Sequence, residues 1–177
     1  MNNMITPTQW INGELTEKEH GYYIEGEDEC VLYHHEQKGI KKGVELLCKK
    51  YKFESVLELG FGVGWTATEF QKQGIKRHVI LEPNKDVYKN ALEWNKNYNT
   101  EIINVFSWEY EPKEKFDLIY DDIVYLNNAE KHNNWLKYFK NQWIARNAGP
   151  TGGISEGDSF DFEINNNKYR QNIIWQQ

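Results

Sequence analysis

The sequence predicts an α/β fold, a doubly wound and mostly parallel sheet with helices on both faces. A short apolar run at 56–59 leads directly into glycines at alternate positions, the pattern of a buried strand, a tight turn and a helix. Strand-like and helix-like segments then alternate with short connections. Candidate binding residues follow several predicted strands, and ligands of such sheets bind beyond the carboxyl ends of the strands.

Residues 1–35 are predicted to form an N-terminal arm or lid. Residues 1–20 show little periodicity and are expected to be irregular. The apolar runs 22–24 and 31–33, separated by a glycine and several acidic residues, predict a hairpin.

Residues 36–153 are predicted to form the core of the fold. An amphipathic helix precedes the first strand, on the helical spacing of Ile40, Val44, Leu47, Cys48 and Tyr51. Strands are then predicted over 55–59, 78–82, 102–106 and 116–121. Helices are predicted over 65–73, 84–95 and 129–145, the last from the stripe Trp135, Phe139 and Trp143.

Residues 154–177 are predicted to be an atypical C-terminal segment within a single domain, 1–177. A fifth strand is expected after the Gly-rich turn at 150–153, but segment 154–159 is polar and broken by glycine, which suits a central strand poorly. Alternating apolar residues predict an edge strand at 160–164 and another strand at 169–175. The fold is therefore expected to be shortened or rebuilt at its C-terminus.

Composition excludes several classes of function. A net charge of −6 and a pI near 5.4 argue against a nucleic-acid partner, because phosphate binding needs clustered Lys and Arg. No apolar run is long enough to cross a bilayer, and no secretory leader is recognisable, so no membrane association is expected. Cys30 and Cys48 lack CxxC spacing, which favours a reducing cytoplasm. Histidine spacing predicts no metal site, and no G-x-S-x-G motif supports a hydrolase.

The glycines at 60, 62 and 64 predict a nucleotide-type cofactor site. Without a Cβ they let the backbone approach a ligand closely, and Glu82, about 20 residues on at a predicted strand end, is placed to accept hydrogen bonds from ribose hydroxyls. Trp65 stands where a dinucleotide site needs its last glycine, and no lysine occupies a P-loop position. Glu58, at the end of the first strand, suits a cationic ligand group. These features favour S-adenosylmethionine, with its ammonium and sulfonium, over NAD.

The glycine motif resembles that of class I SAM-dependent methyltransferases, and within them the guanidinoacetate methyltransferase branch. Its form in this chain is Val56-Leu-Glu-Leu-Gly-Phe-Gly62, followed by Val79-Ile-Leu-Glu82, Ser107-Trp-Glu109 and Phe116-Asp-Leu-Ile-Tyr-Asp-Asp122. The resemblance covers roughly residues 29–153 and implies a Rossmann-like fold. It implies a cofactor site that includes Phe61, Ser107 and Trp108 in addition to Glu58, Gly60, Gly62, Gly64 and Glu82.

Candidate catalytic residues follow from the same resemblance. A carboxylate at the tip of the fourth strand would lie near the transferred methyl group. A gapless alignment puts it at Asp122, whereas a one-residue gap puts it at Asp121, which is also a candidate cofactor ligand. Glu29 is nearest in position to a second substrate-binding acid of the family, although the neighbouring Trp and Pro of that motif are missing.

The sequence therefore predicts a SAM-dependent methyltransferase acting on a small polar acceptor, an amine or guanidine nitrogen, with Asp122 as anchor or base. The alternative is a non-catalytic module that binds SAM or its demethylated product, S-adenosylhomocysteine (SAH), and works through a protein partner. The short C-terminal segment favours this alternative, and it leaves room for a partner or a second copy to cover that side. The intact set of acidic residues favours the enzyme.

Overall fold

The computed structural model describes residues 6–26, 30–123, 129–137, 139, 142–150, 158–164 and 167–176. The helices are α1 (Pro7–Asn12), α2 (Gln37–Tyr51), α3 (Trp65–Lys72), α4 (Lys85–Trp94) and α5 (Ala129–Leu136). The N-terminal strands are β1 (Leu15–Lys18), β2 (Gly21–Ile24) and β3 (Leu32–Tyr33). The central strands are β4 (Ser55–Leu59), β5 (Arg77–Leu81), β6 (Glu101–Ile103), β7 (Leu118–Asp121), β8 (Gln142–Pro150), β9 (Asp158–Ile164) and β10 (Asn167–Gln176).

The central sheet has the order β6-β5-β4-β7-β8-β10-β9. Its first five strands are parallel, and β10 pairs antiparallel with both β8 and β9. The chain runs outward from β4 through β5 to β6 and then returns to the other side of β4 with β7. The strand order therefore reverses between β4 and β7, and a crevice opens at such a point beyond the strand ends. The predicted doubly wound, mostly parallel sheet is confirmed.

Side chains alternate along each central strand, so the sheet packs helices on both faces. Val56 of β4 and Leu118 of β7 pack with residues of α2 and α3 on one face. Leu57 and Ile119, one position further along the same strands, pack with α5 residues on the opposite face. Both faces of the central strands are buried, as expected of a parallel sheet between two helical layers.

The N-terminal arm is more regular than predicted. The predicted hairpin is confirmed by β2 and β3, but 1–20 is not irregular throughout, because α1 and β1 lie within it. The local signal is a capping box: Gln9 N–H donates to Thr6 Oγ1, the Gln9 side chain accepts from Thr6 N–H, and Pro7 occupies the first turn. This Thr-Pro-Thr-Gln signal could have been read from the sequence.

The predicted helix over 129–145 is wrong beyond its second turn. Helix α5 ends at Leu136 and β8 begins at Gln142, so Trp143 lies on a strand and not on a helical stripe with Trp135 and Phe139. The segment is drawn into the sheet because β8 pairs with β7 on one side and β10 on the other. These non-local hydrogen bonds override the local helical spacing.

The predicted position of the fifth strand is therefore wrong as well. The fifth parallel strand is β8, which ends at Pro150, whereas residues 151–157, including most of the predicted turn, lie outside the described residues. The predicted strands at 160–164 and 169–175 are confirmed as β9 and β10, which form an antiparallel hairpin on the edge of the sheet. Within the described residues, no helix is both long and apolar enough to cross a membrane.

Candidate cofactor and active site

A cavity lies beyond the carboxyl ends of β4, β5 and β7, where the strand order reverses. It contains about 960 Å³ of empty space, a volume that includes space open to solvent. Its floor includes Gly60, Glu82 and Asp122, one residue after each of these three strands. Apolar and aromatic side chains make up most of its remaining wall.

The turn after β4 folds only because its glycines adopt left-handed backbone conformations. Gly60 has φ of 86°, and a Cβ built there would lie 2.8 Å from the carbonyl oxygen of Asp122. Gly60 N–H donates to the carbonyl oxygen of Leu81 at the end of β5. The turn is thus packed against both neighbouring strands, and its path over the strand ends depends on the missing side chain.

Gly60→Ala is expected to destabilise the fold by roughly 2–4 kcal/mol, because it adds both backbone strain and a clash with the Asp122 carbonyl. Gly74→Ala is the matched control, since Gly74 has φ of 82° but a Cβ added there would meet no described atom within 4 Å. Urea unfolding of both variants separates the clash from the strain. Equal losses of stability would contradict a tight contact between the glycine turn and Asp122.

Glu82 is held rigidly at the centre of the cavity floor. One carboxylate oxygen, Oε2, accepts from Phe61 N–H at 2.8 Å, and Oε1 accepts from Asn84 N–H at 2.8 Å. Burial raises the pKa of Glu82 to about 7, against the lowering effect of these backbone donors. A carboxylate with fixed orientation and lone pairs left over fits the paired hydroxyls of a ribose.

The affinity for SAH is expected to rise with pH and to level off above about 7, because ribose hydroxyls donate to the ionised form of Glu82. The pH dependence of folding stability without ligand runs in the opposite direction. The folded state favours the protonated carboxyl, so Glu82 lowers the free energy of unfolding as pH rises from about 4.5 to about 7. Calorimetric titration between pH 5.5 and 8.5 tests this, with Glu82→Gln as a non-titrating control. A pH-independent wild-type affinity would contradict it.

An aromatic wall lies beside Glu82, after strand β6. Phe106 and Trp108 stack with ring centroids 4.4 Å apart and planes 11° from parallel, and both line the cavity with Ser107 between them. Residues Ser107–Glu109 form a short 3₁₀ helix whose start is capped by the Glu109 side chain, which accepts from Phe106 N–H. A flat aromatic surface next to a ribose-type carboxylate fits a purine base.

The N-terminal region forms a further wall of the cavity and is tied to α4. Asn84 caps α4 through its side-chain oxygen, which accepts from Asp86 and Val87 N–H, and its amide donates to the carbonyls of Trp10 and Gly13. Trp10, Leu15, Tyr22, Ile24, Val31 and Leu32 from this region line the cavity. One buried side chain thus joins the N-terminal wall to the loop that carries Glu82.

The two candidate aspartates after the fourth parallel strand face different surroundings. Asp122 lines the cavity, and its N–H donates to the carbonyl oxygen of Leu59. Asp121 is buried on the α5 side, and its Oδ2 lies 3.2 Å from Nε2 of His132. His132 in turn places Nδ1 2.9 Å from Ser107 Oγ. Sequence reasoning missed His132, and no local pattern marks it.

The other predicted site residues are divided between the cavity and its supports. Gly60, Phe61, Gly62, Glu82, Ser107, Trp108 and Asp122 line the cavity. Gly64 does not, and begins α3, where a Cβ would lie 2.6 Å from the Phe61 ring. Glu29 lies outside the described residues. Within those residues no cluster of three or more His, Cys, Asp or Glu side chains is arranged to hold a metal ion.

Glu58 points away from the cavity because side chains on β4 alternate between the two faces of the sheet. Its Oε2 lies 2.8 Å from Nε2 of His78, and both side chains are fully buried. Burial raises the pKa of Glu58 well above its usual value and lowers the pKa of His78 to about 3. Burial thus disfavours the charged form of each group.

Comparison with known families gives one match that covers much of the chain. A family model described as guanidinoacetate N-methyltransferase matches residues 44–160, which is more than half of the protein. The match contains the glycine turn, Glu82, the aromatic wall and both aspartates.

Solved methyltransferases share the fold. An N-methyltransferase from Bradyrhizobium japonicum superposes with a TM-score of 0.56 and 11% identity, over 78% of this chain and 98% of that one. A magnesium protoporphyrin IX methyltransferase from Synechocystis, solved with bound SAM, gives a TM-score of 0.59 and 11% identity, over 80% and 79%. A SAM-dependent methyltransferase from Clostridium acetobutylicum gives a TM-score of 0.54 and 12% identity, over 73% of this chain and 58% of that one. Identities this low show a common fold alone.

Proposed function

This chain belongs to the guanidinoacetate N-methyltransferase family of SAM-dependent methyltransferases, and we propose that it methylates an amine or guanidine nitrogen of a small polar acceptor. The observation that carries the choice of acceptor is the position of Asp122. This residue lines the same cavity as Glu82, and among the described residues of the cavity lining these two are the acidic ones, with no Lys or Arg beside them. A cavity of this charge favours a cationic acceptor over an anionic one.

The cofactor would lie across the strand ends, with its ribose at Glu82 and its base against Phe106 and Trp108. Bound S-adenosylmethionine supplies an electrophilic methyl group on a sulfonium. The chain's own contribution is then mostly positioning, since methyl transfer is an in-line displacement. The glycine turn would support the cofactor, and the N-terminal wall would help to exclude water from it.

Asp122 is proposed to anchor the acceptor nitrogen and to take its proton. A guanidinium or ammonium donates to the carboxylate in a charge-assisted hydrogen bond, which fixes the nitrogen toward the methyl group. Transfer of one proton from this nitrogen to the Asp122 carboxylate would free the nitrogen lone pair. That lone pair would then form the new N–C bond with the methyl group, and the electron pair of the broken C–S bond would stay on sulfur.

The alternative of a non-catalytic SAM-binding module is not favoured. Its main support is the expected loss of walls at the C-terminal end, and β9 and β10 instead continue the sheet there. The presence of Asp122 at the cavity, where a purely binding module has no need of it, supports the enzyme.

The test is release of SAH from SAM by the purified protein with single acceptors. Guanidinoacetate, agmatine and ethanolamine represent a zwitterionic guanidine, a cationic guanidine and an amine, and catechol represents an oxygen acceptor. Acceptor-dependent SAH release with at least one nitrogen compound supports the proposal. Release with catechol alone, or none with a wider panel of amines and guanidines despite tight SAM binding, contradicts it.

A further inference from the structure

A buried side chain outside the cavity connects two of its walls. His132 on α5 is fully buried, and its ring lies between Ser107, which follows β6, and Asp121, the last residue of β7. Ser107 lines the cavity next to the aromatic wall, and Asp121 immediately precedes Asp122. One imidazole thus spans the base-binding side of the cavity and the strand end that carries the proposed catalytic aspartate.

The partners of the ring determine which way the Ser107 hydroxyl points. The carboxylate of Asp121 can only accept a hydrogen bond, so Nε2 carries the proton and donates to Oδ2. With the ring neutral in this tautomer, Nδ1 is an acceptor, and the Ser107 hydroxyl 2.9 Å away would donate to it. The proton of Ser107 would then point toward α5, which would leave the lone pairs of its oxygen for the cavity.

We propose that His132 is a positioning residue that holds Ser107 Oγ as a hydrogen-bond acceptor for the exocyclic amino group of the cofactor's adenine. This inference rests on the placement of the cofactor proposed above. With the ribose at Glu82 after β5, the glycine turn after β4 occupies one side. The base therefore extends toward β6, where Ser107 and the stacked Phe106–Trp108 pair lie. An acceptor at this position selects an amino group over a carbonyl oxygen.

The probe is the pair SAH and S-inosylhomocysteine, which differ in the amino group or carbonyl at position 6 of the purine. In calorimetric titrations the wild-type protein is expected to bind SAH at least about tenfold more tightly. An equal or stronger affinity for S-inosylhomocysteine would overturn the proposal, because an oxygen held as an acceptor must favour the amino group over the carbonyl. No binding of either compound would overturn the cofactor placement and this inference with it.

Two matched variants of His132 separate its contacts. His132→Asn keeps a polar atom near the position of Nδ1 and can still accept from Ser107, whereas His132→Gln keeps one near Nε2 and retains the contact with Asp121. His132→Gln is expected to weaken SAH binding about tenfold and to lose the discrimination between the two purines. His132→Asn is expected to retain most of both.

Ser107→Ala is a second test of the contact between Ser107 and His132. It should reproduce His132→Gln, and the double variant should lose no more than either single one, because both remove the same contact. In the methylation assay the loss should be in KM for SAM, with kcat within about twofold. A purely structural role predicts instead that both His132 variants lose thermal stability while discrimination stays at the wild-type level, and that result would overturn the proposal.

Discussion

Asp122→Asn is expected to lower kcat for methyl transfer by about 100-fold or more, because the amide neither takes the acceptor's proton nor pairs with its positive charge. Affinity for SAH should stay within about threefold of wild type, since the ribose and base contacts come from other strands. The measurements are SAH release at saturating SAM and acceptor, and calorimetric titration with SAH. The change is nearly isosteric, so the fold should be retained.

Asp121→Asn is the comparison that decides between the two aspartates. Its side chain faces His132, so we expect a modest weakening of SAH binding and a far smaller effect on kcat than that of Asp122→Asn. If Asp122→Asn retains turnover while Asp121→Asn abolishes it, the anchor and base must be assigned to Asp121. The choice of the cavity-lining aspartate would then be wrong.

Glu82→Ala is expected to weaken SAM and SAH binding by about 100-fold or more, because two hydrogen bonds from ribose hydroxyls to a buried carboxylate are lost. The substitution also leaves Phe61 N–H and Asn84 N–H without their acceptor, so some loss of stability accompanies it. Calorimetry at low temperature, with circular dichroism to confirm folding, measures the effect.

Two further variants keep the Glu82 prediction decisive. Glu82→Gln preserves the shape of the side chain and should still weaken binding at least about tenfold, because its amide nitrogen faces backbone donors. Glu93→Ala removes a carboxylate on the exposed face of α4 and should bind SAH as the wild type does. Tight SAH binding by a folded Glu82→Gln protein at pH 8 would exclude a ribose site at this residue.

Much of the parallel core could be predicted because it depends on local features. Strands β4, β5 and β7 and helices α2, α3 and α4 each have a local apolar pattern, and their bounds lie within a few residues of the predicted ones. The boundary between α5 and β8 could not be predicted in this way. Trp135 and Phe139 pack together on the sheet, but residues 142–150 form a strand because β7 and β10 supply their hydrogen bonds.

The sequence by itself determined the glycine turn and the carboxylate of Glu82, because a tight strand–helix turn and the next strand end are set by residues close together in the chain. Only the tertiary structure decided where the other polar side chains point. Alternation on paired strands turns Glu58 toward His78 and Asp121 toward His132, and leaves Asp122 at the cavity. The contact between Ser107 and His132 joins residues on separate elements, so it exists only once α5 packs against the sheet.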